Sequence, residues 1–173
     1  MPSSSSINLG WSGWIPPTTM LRAGTVSSLA AACIELGHTR LAPTVLRFLG
    51  EVGLASDGVV DHIGVFYLGA REGYRGGLLR VLGEIDAAVD SLRRASVVNR
   101  RIGAIVFALN TDLDLAEMLI ARGADEDLGE AANLLDGAAT VLARIDLPHE
   151  QRRCDRLRET FRPGVGRRPQ PSR

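Results

Sequence analysis

Three times in this chain a helix-like apolar run stops at a glycine and an alanine-rich run follows: at Leu36-Gly37, at Leu82-Gly83 and, with arginine before the glycine, at Arg122-Gly123. Glycine enters the left-handed backbone region without a Cβ penalty, so it ends a helix and lets the chain turn back. Repetition of that step makes helical hairpins, and a hairpin hides its apolar face only against a neighbouring one. The expected fold is therefore all-α: stacked antiparallel helical hairpins, about three pairs plus a C-terminal helix. Stacks of this kind hold partners rather than catalyse reactions.

Apolar spacing places the helices. Thr25 is the expected N-cap of a first run, with Leu29, Ala32, Cys33 and Leu36 inward. A second, over residues 39–49, turns Leu41, Val45, Leu46 and Leu49 inward, with Pro43 tolerated in its first turn. Residues 50–64 read as a loop with Ser56-Asp57-Gly58 as its turn signal. The next helix is expected over 65–82. Gly69, Gly73, Gly76 and Gly77 lie inside it, each costing up to ~1 kcal/mol relative to alanine, so packing must hold it. Residues 84–99 give the clearest pattern, with Ile85, Ala88, Val89, Leu92, Ala95 and Val98 on one face. A third pair is expected over 104–122, with Ile105, Leu109, Leu113, Ala116, Leu119 and Ile120 inward, and over 129–145, with Ala131, Leu134, Leu135, Ala138, Val141 and Leu142 inward. Residues 124–128 read as an acidic loop between them. Asp146 as N-cap, Pro148 just inside, and Leu157 with Phe161 on one face mark a last helix over about 148–162. The expected organisation is a flexible arm over residues 1–24, a repeat domain over 25–162 and a disordered basic tail over 163–173. In the arm, Pro16-Pro17 blocks a helix and Trp11 and Trp14 bracket a turn.

Composition removes whole mechanisms. All 20 basic residues are arginine and none is lysine, a bias that a GC-rich genome explains. A chain without lysine has no P-loop lysine and forms no Schiff base through a side chain. The zero net charge hides a division: ten acids face two arginines over 110–150, and eight arginines face two acids from Gln151 onward. The basic stretch is expected to lie against its acidic neighbours or in solvent, and nucleic acid is not the expected partner. Cys33 and Cys154 are expected to be buried free thiols in a reducing cytoplasm. No stretch reads as a membrane span or leader, so a cytoplasmic location is expected.

Aligned on their glycines, the units resemble tetratricopeptide-type helix pairs. Gly76, Gly83, Ala88, Leu92 and Ala95 fall where that pattern has small, glycine, alanine, large apolar and alanine residues. Ala116, Gly123, Ala131, Leu135 and Ala138 repeat the order, and Ala30, Gly37 and Ala42 keep part of it. Small residues let helices approach while a large one fills the groove between pairs. More closely, residues 29–147 resemble the degenerate helical-repeat region at the C-terminal end of large actinobacterial signalling ATPases, seen in LuxR-type regulators and cyclase-linked ATPase proteins. Residues 82–89 (LGEIDAAV), 99–104 (NRRIGA) and 114–123 (DLAEMLIARG) carry that likeness. It implies a tetratricopeptide-like α-solenoid and a regulatory, non-catalytic role, because the ATPase, cyclase and DNA-binding chemistry of that family lies in other domains.

Candidate sites are few. Asp112 and Asp114 stand two apart, so on a helix they point in different directions, and with Asp125-Glu126-Asp127 they are expected to be solvated acids. His38, His62 and His149 are dispersed, no serine stands in a nucleophile elbow, and no metal or cofactor is expected. Tyr67, Arg71, Tyr74, Arg75 and Arg80 remain, residue types that anchor interfaces, expected on the inner groove of the stack. The expected role is a protein-interaction or regulatory scaffold whose partner is a larger regulator or a second copy, as in a homodimer. The alternatives are a nucleic-acid adaptor acting through the arginine-rich end, or a small ligand-binding or enzymatic site between repeats.

Overall fold

Pro17 opens the first helix rather than preventing one. In the computed structural model, which describes residues 17–51, 57–60 and 66–161, helix α1 spans Pro17–Glu35. A proline in the first turn has no amide hydrogen to lose and its φ is already helical. Residues 17–24, expected in the arm, are therefore helical, and Thr25 lies inside α1 rather than at its cap. Trp11, Trp14, Pro16, His62 and the tail over 163–173 lie outside the described residues. Helix α2 spans Ala42–Glu51.

The expected loop over 50–64 and helix over 65–82 give way to a ribbon. Strand β1 (Gly58–Val60) pairs antiparallel with β2 (Tyr67–Ala70), with Gly58 opposite Ala70 and Val59 opposite Gly69. Helix α3 follows only at Arg71–Val81. Three contacts explain the late start. Gly69 has φ 110°, a value no helix uses, and a Cβ there would stand 3.0 Å from the Phe107 ring. The Ala70 amide donates to Asn99 Oδ1 at 3.2 Å, and the Arg71 amide donates to the Asp57 carbonyl at 2.9 Å. These amides are held by partners across the chain, so the backbone stays extended until residue 70.

Four helices complete the chain: α4 (Ile85–Ile102), α5 (Ile105–Arg122), α6 (Asp125–Leu142) and α7 (Pro148–Phe161). Each helix from α2 onward packs on the one before it, and α1 also meets α3, α3 meets α5 and α5 meets α7. The described residues are thus mostly helical, with sequential helices side by side. The reversals between α3 and α4 and after α5 turn at Gly83 and Gly123, whose φ values of 78° and 72° suit glycine.

Close approach depends on missing side-chain atoms. A Cβ on Gly76 would fall 2.7 Å from Leu92 Cγ and 3.2 Å from the Ala88 carbonyl oxygen, and one on Gly77 would fall 2.5 Å from Ile34 Cδ1. Helices α3 and α4 therefore cross at near-backbone contact, and the Ile34 side chain of α1 seats directly on the α3 backbone at Gly77. Ala88 and Ala95 are fully buried at the first crossing. Larger residues fill the remaining space: Leu92, Leu113, Leu119 and Leu135 form one core with Ala116, Ala131, Ala138 and Cys154, and a second unites Ala30, Cys33, Val45, Leu49 and Leu78. Leu29, Leu36, Leu41 and Ile105, expected inward, are exposed. Ile105 stands at the first residue of α5, and among the described elements α1 and α2 pack, apart from each other, mainly on α3 and β1.

Asp125 and Glu126 are exposed as expected, but the acids over 125–127 are helical rather than a loop. They form the first turn of α6, where the helix dipole favours negative charge. Asp127 is buried and takes a two-pronged grip from Arg122, with Nε at 2.6 Å and Nη2 at 2.5 Å, while Arg122 Nη1 reaches Asp86 at 3.0 Å. The Arg122 hydrogen bonds hold the Asp127 carboxyl below the ordinary 3.8. A carboxyl lowered by folding adds stability above the unfolded value, and that contribution disappears as pH falls through the folded value. The urea midpoint of the protein is thus expected to drop below pH 4, and to drop less steeply in Asp127→Asn. Equal steepness in the two proteins would remove this pair from the acid response.

A cleft lined by alternate helices

Spacing on α5 sets one side of the principal cleft. Phe107, Asn110, Thr111 and Asp114 recur at three- and four-residue intervals and so share one face of that helix. Helix α7 brings His149, Glu150 and Arg153 to the same space, α3 brings Tyr74 and Arg80, and α1 brings Ala31, Ile34 and Glu35. Together they enclose about 410 Å³.

The buried polar groups of the cleft floor are paired with one another. Asn99, fully buried in α4, accepts from the Tyr67 hydroxyl at 2.6 Å and from the Ala70 amide, and its Nδ2 donates to Thr111 Oγ1 at 3.0 Å. Thr111 donates in turn to the Phe107 carbonyl at 2.8 Å, and the Tyr74 hydroxyl donates to the Leu68 carbonyl at 2.5 Å. The Tyr67 ring meets Phe107 edge to face at 5.3 Å. Burial raises both tyrosine pKa values, so each phenol stays a neutral donor.

The charged wall is an ion-pair cluster. Arg153 Nη2 lies 2.6 Å from Asp114 Oδ1 and 2.7 Å from Glu117 Oε2, joining α7 to α5. Burial pushes the Asp114 carboxyl up, and the attraction of Arg153 and Arg80 opposes that shift without cancelling it. Asp112 points the other way, toward α4, where it accepts from Ser96 Oγ at 2.7 Å and Arg100 Nη2 at 2.6 Å. Both aspartates, expected in solvent, are instead tied into helix contacts, because the helical offset of two residues sends them to opposite neighbours. Arg158 of α7 likewise pairs with an acid of an earlier helix, Asp136 of α6.

The lining has neither serine nor cysteine among the described residues. Cys33 and Cys154 are buried free thiols, and burial pushes the Cys154 thiol up, away from the reactive thiolate. His149 is exposed, 4.0 Å from Glu150, with no nucleophile bonded to it among the described residues.

Of the five residues expected in a groove, Tyr74 and Arg80 line the cleft. Tyr67 sits on β2 rather than on a helix, its hydroxyl committed to Asn99. Arg71 and Arg75 lie outside the lining, Arg75 exposed to solvent. Gly76, Ala88, Leu92, Ala95, Ala116, Ala131, Leu135 and Ala138 are buried, whereas Gly83 and Gly123 are exposed at turns. Asp114 was expected only as a solvated acid, and Glu150 and Arg153 were not singled out from the sequence. The polar stripe on α5 was visible in the spacing, but its meeting with α7 rests on a contact across 39 residues.

No described helix is long and apolar enough to cross a membrane. The chain matches no family model, no curated protein and no solved structure.

Proposed function

We propose that this chain is a non-catalytic interaction scaffold, a tetratricopeptide-like α-solenoid whose concave side grips a segment of a protein partner. One observation carries the reading: the odd-numbered helices α1, α3, α5 and α7 supply most of the side chains of one cleft, with β2 and Asn99 of α4 completing its floor. Alternation of that kind is what stacked hairpins produce when the first helix of each pair faces inward. Tyrosine, arginine and paired acids around an apolar strip suit an extended or helical peptide of mixed charge. On the resemblance to ATPase-linked repeat regions, the partner is a larger ATPase-type regulator, to which this chain is a fragment or stand-alone relative, or else a second copy.

Peptides selected from a random displayed library against the full chain provide the test. Selected peptides are expected to lose at least about tenfold in affinity, roughly 1.4 kcal/mol, on Tyr74→Ala or Arg80→Glu. They should be indifferent to Arg144→Glu, an exposed site beyond the cleft. Peptides indifferent to both cleft changes would remove the reading. The cleft volume also falls in the ~300–1,000 Å³ range of small-ligand sites, which supports a second reading, a small polar ligand held by Asp114 and Arg153. Its mark would be a library that returns no cleft-dependent peptide while small dipolar compounds raise the melting temperature.

A further inference from the structure

Strand β2 forms part of the cleft wall, and its outer edge is closed to a further strand. Val59 pairs with Gly69 and Val60 with Tyr67, which leaves Leu68 unopposed in the register, as at a bulge. The Leu68 carbonyl accepts from the Tyr74 hydroxyl at 2.5 Å. The Arg71 amide turns to the Asp57 carbonyl beside β1, so the Ala70 amide faces away from β1, where Asn99 Oδ1 holds it at 3.2 Å. A bulge and occupied backbone groups are devices that keep an edge strand from pairing. The rest of the lining offers no row of main-chain partners either, because Gly73, Tyr74 and Gly77 stand inside α3 and Asn110, Thr111 and Asp114 inside α5, where amides bond within the helix. An extended segment lowered into the cleft would leave amides of its own unpaired. A helix brings its backbone hydrogen bonds with it.

The side chains of the cleft suit one face of such a helix. Ile34 of α1 and Leu68 of β2 are half-buried and Phe107 of α5 is 38% exposed, so three elements present apolar contacts to the same space. Ala31 and Gly73 add almost no side chain between them. On charge, Arg153 is held by Asp114 and Glu117, whereas half-buried Arg80 makes no ion pair among the described residues. We propose that the cleft takes its partner segment as an amphipathic helix and not as an added strand, with its apolar face on Ile34, Leu68 and Phe107 and an acidic side chain on Arg80. This deepens the scaffold reading and rests on it.

Peptides of ~15 residues, about the length at which an isolated helix becomes marginal, selected on the full chain and weakened by Tyr74→Ala, are the probe. Carbon-13-labelled peptide bound to the chain is expected to show helical Cα shifts, and proline at its centre should weaken binding at least about tenfold. Glutamine in place of the contacting Asp or Glu should weaken binding several-fold to the native chain and leave it unchanged with Arg80→Gln, a coupling that a double-mutant cycle reads. Tyr74→Phe frees the Leu68 carbonyl but keeps the ring, so it should leave helical peptides bound within about twofold. Extended Cα shifts, tolerance of the central proline, tighter binding by Tyr74→Phe, or no coupling at Arg80 would overturn the proposal. Each of these leaves the scaffold reading standing, because the peptide still occupies the cleft. A library that yields no cleft-dependent peptide would overturn both.

Discussion

Ala88→Arg is expected to abolish the cooperative thermal transition, whereas Ala87→Arg, the next residue along α4, keeps the melting temperature within a few degrees. Ala88 has no exposed surface, and its carbonyl lies 3.2 Å from where a Cβ on Gly76 would stand, so α3 and α4 touch almost backbone to backbone there. A long side chain has no volume to enter. Overpacking alone costs about 1–3 kcal/mol, and a buried unpaired guanidinium adds several kcal/mol more. That sum reaches the lower end of the ~5–15 kcal/mol that holds a typical domain together. Ala87 is exposed, and surface changes usually stay within about 0.5 kcal/mol. Far-UV circular dichroism on heating checks the pair. A cooperative Ala88→Arg melt close to wild type would mean that the two helices do not approach as described.

Asn99→Leu carries the second large effect, about 3 kcal/mol of global stability lost. The side chain is buried and makes three hydrogen bonds at once, to the Tyr67 hydroxyl, the Ala70 amide and Thr111. Leucine keeps the approximate volume but strands the amide and the phenol, and each abandoned buried donor costs about 1–3 kcal/mol. Urea unfolding measures the total, and amide exchange locates it. Exchange should accelerate at Ala70 and Arg71, at the junction of β2 and α3, before it does in α6. Unchanged protection at Ala70 would show that the ribbon is held by something other than Asn99.

Helix α4 was legible from sequence because six apolar residues recur at helical spacing between Glu84 and Asn99 with nothing to compete. The ribbon was not. Its strands are three and four residues long, and their pairing of Gly58 with Ala70 spans a connection without a tight-turn pair such as Asn-Gly. Gly69 looked like a weak helix position, and only its closeness to Phe107, 38 residues later, reveals why glycine stands there. The exposure of Leu29 and Leu36 defeated the amphipathic reading for a different reason. That reading gives every helix one apolar stripe facing the core, whereas Leu29 lies off that stripe and Leu36 falls in the turn after α1. The cleft was half legible: Tyr74 and Arg80 stood out as interface residue types, while Asp114 and Arg153 gain meaning only when α5 and α7 meet. Charge segregation left open whether arginines of the last helix meet acids upstream, as Arg153 and Arg158 do, or stay in solvent, and it gave no sign that Asp127 would be buried under Arg122.

The central claim is that alternate helices build one recognition face. Amide chemical-shift mapping of the isotope-labelled full chain, titrated with a library-selected peptide, tests it most directly. The account predicts shifts along Tyr74 and Arg80 on α3, Asn110 and Asp114 on α5, and Glu150 and Arg153 on α7, with the outer faces of α4 and α6 unmoved. A footprint confined to the arginine-rich residues after Phe161, or spread over the solvent side of α4 and α6, would contradict it.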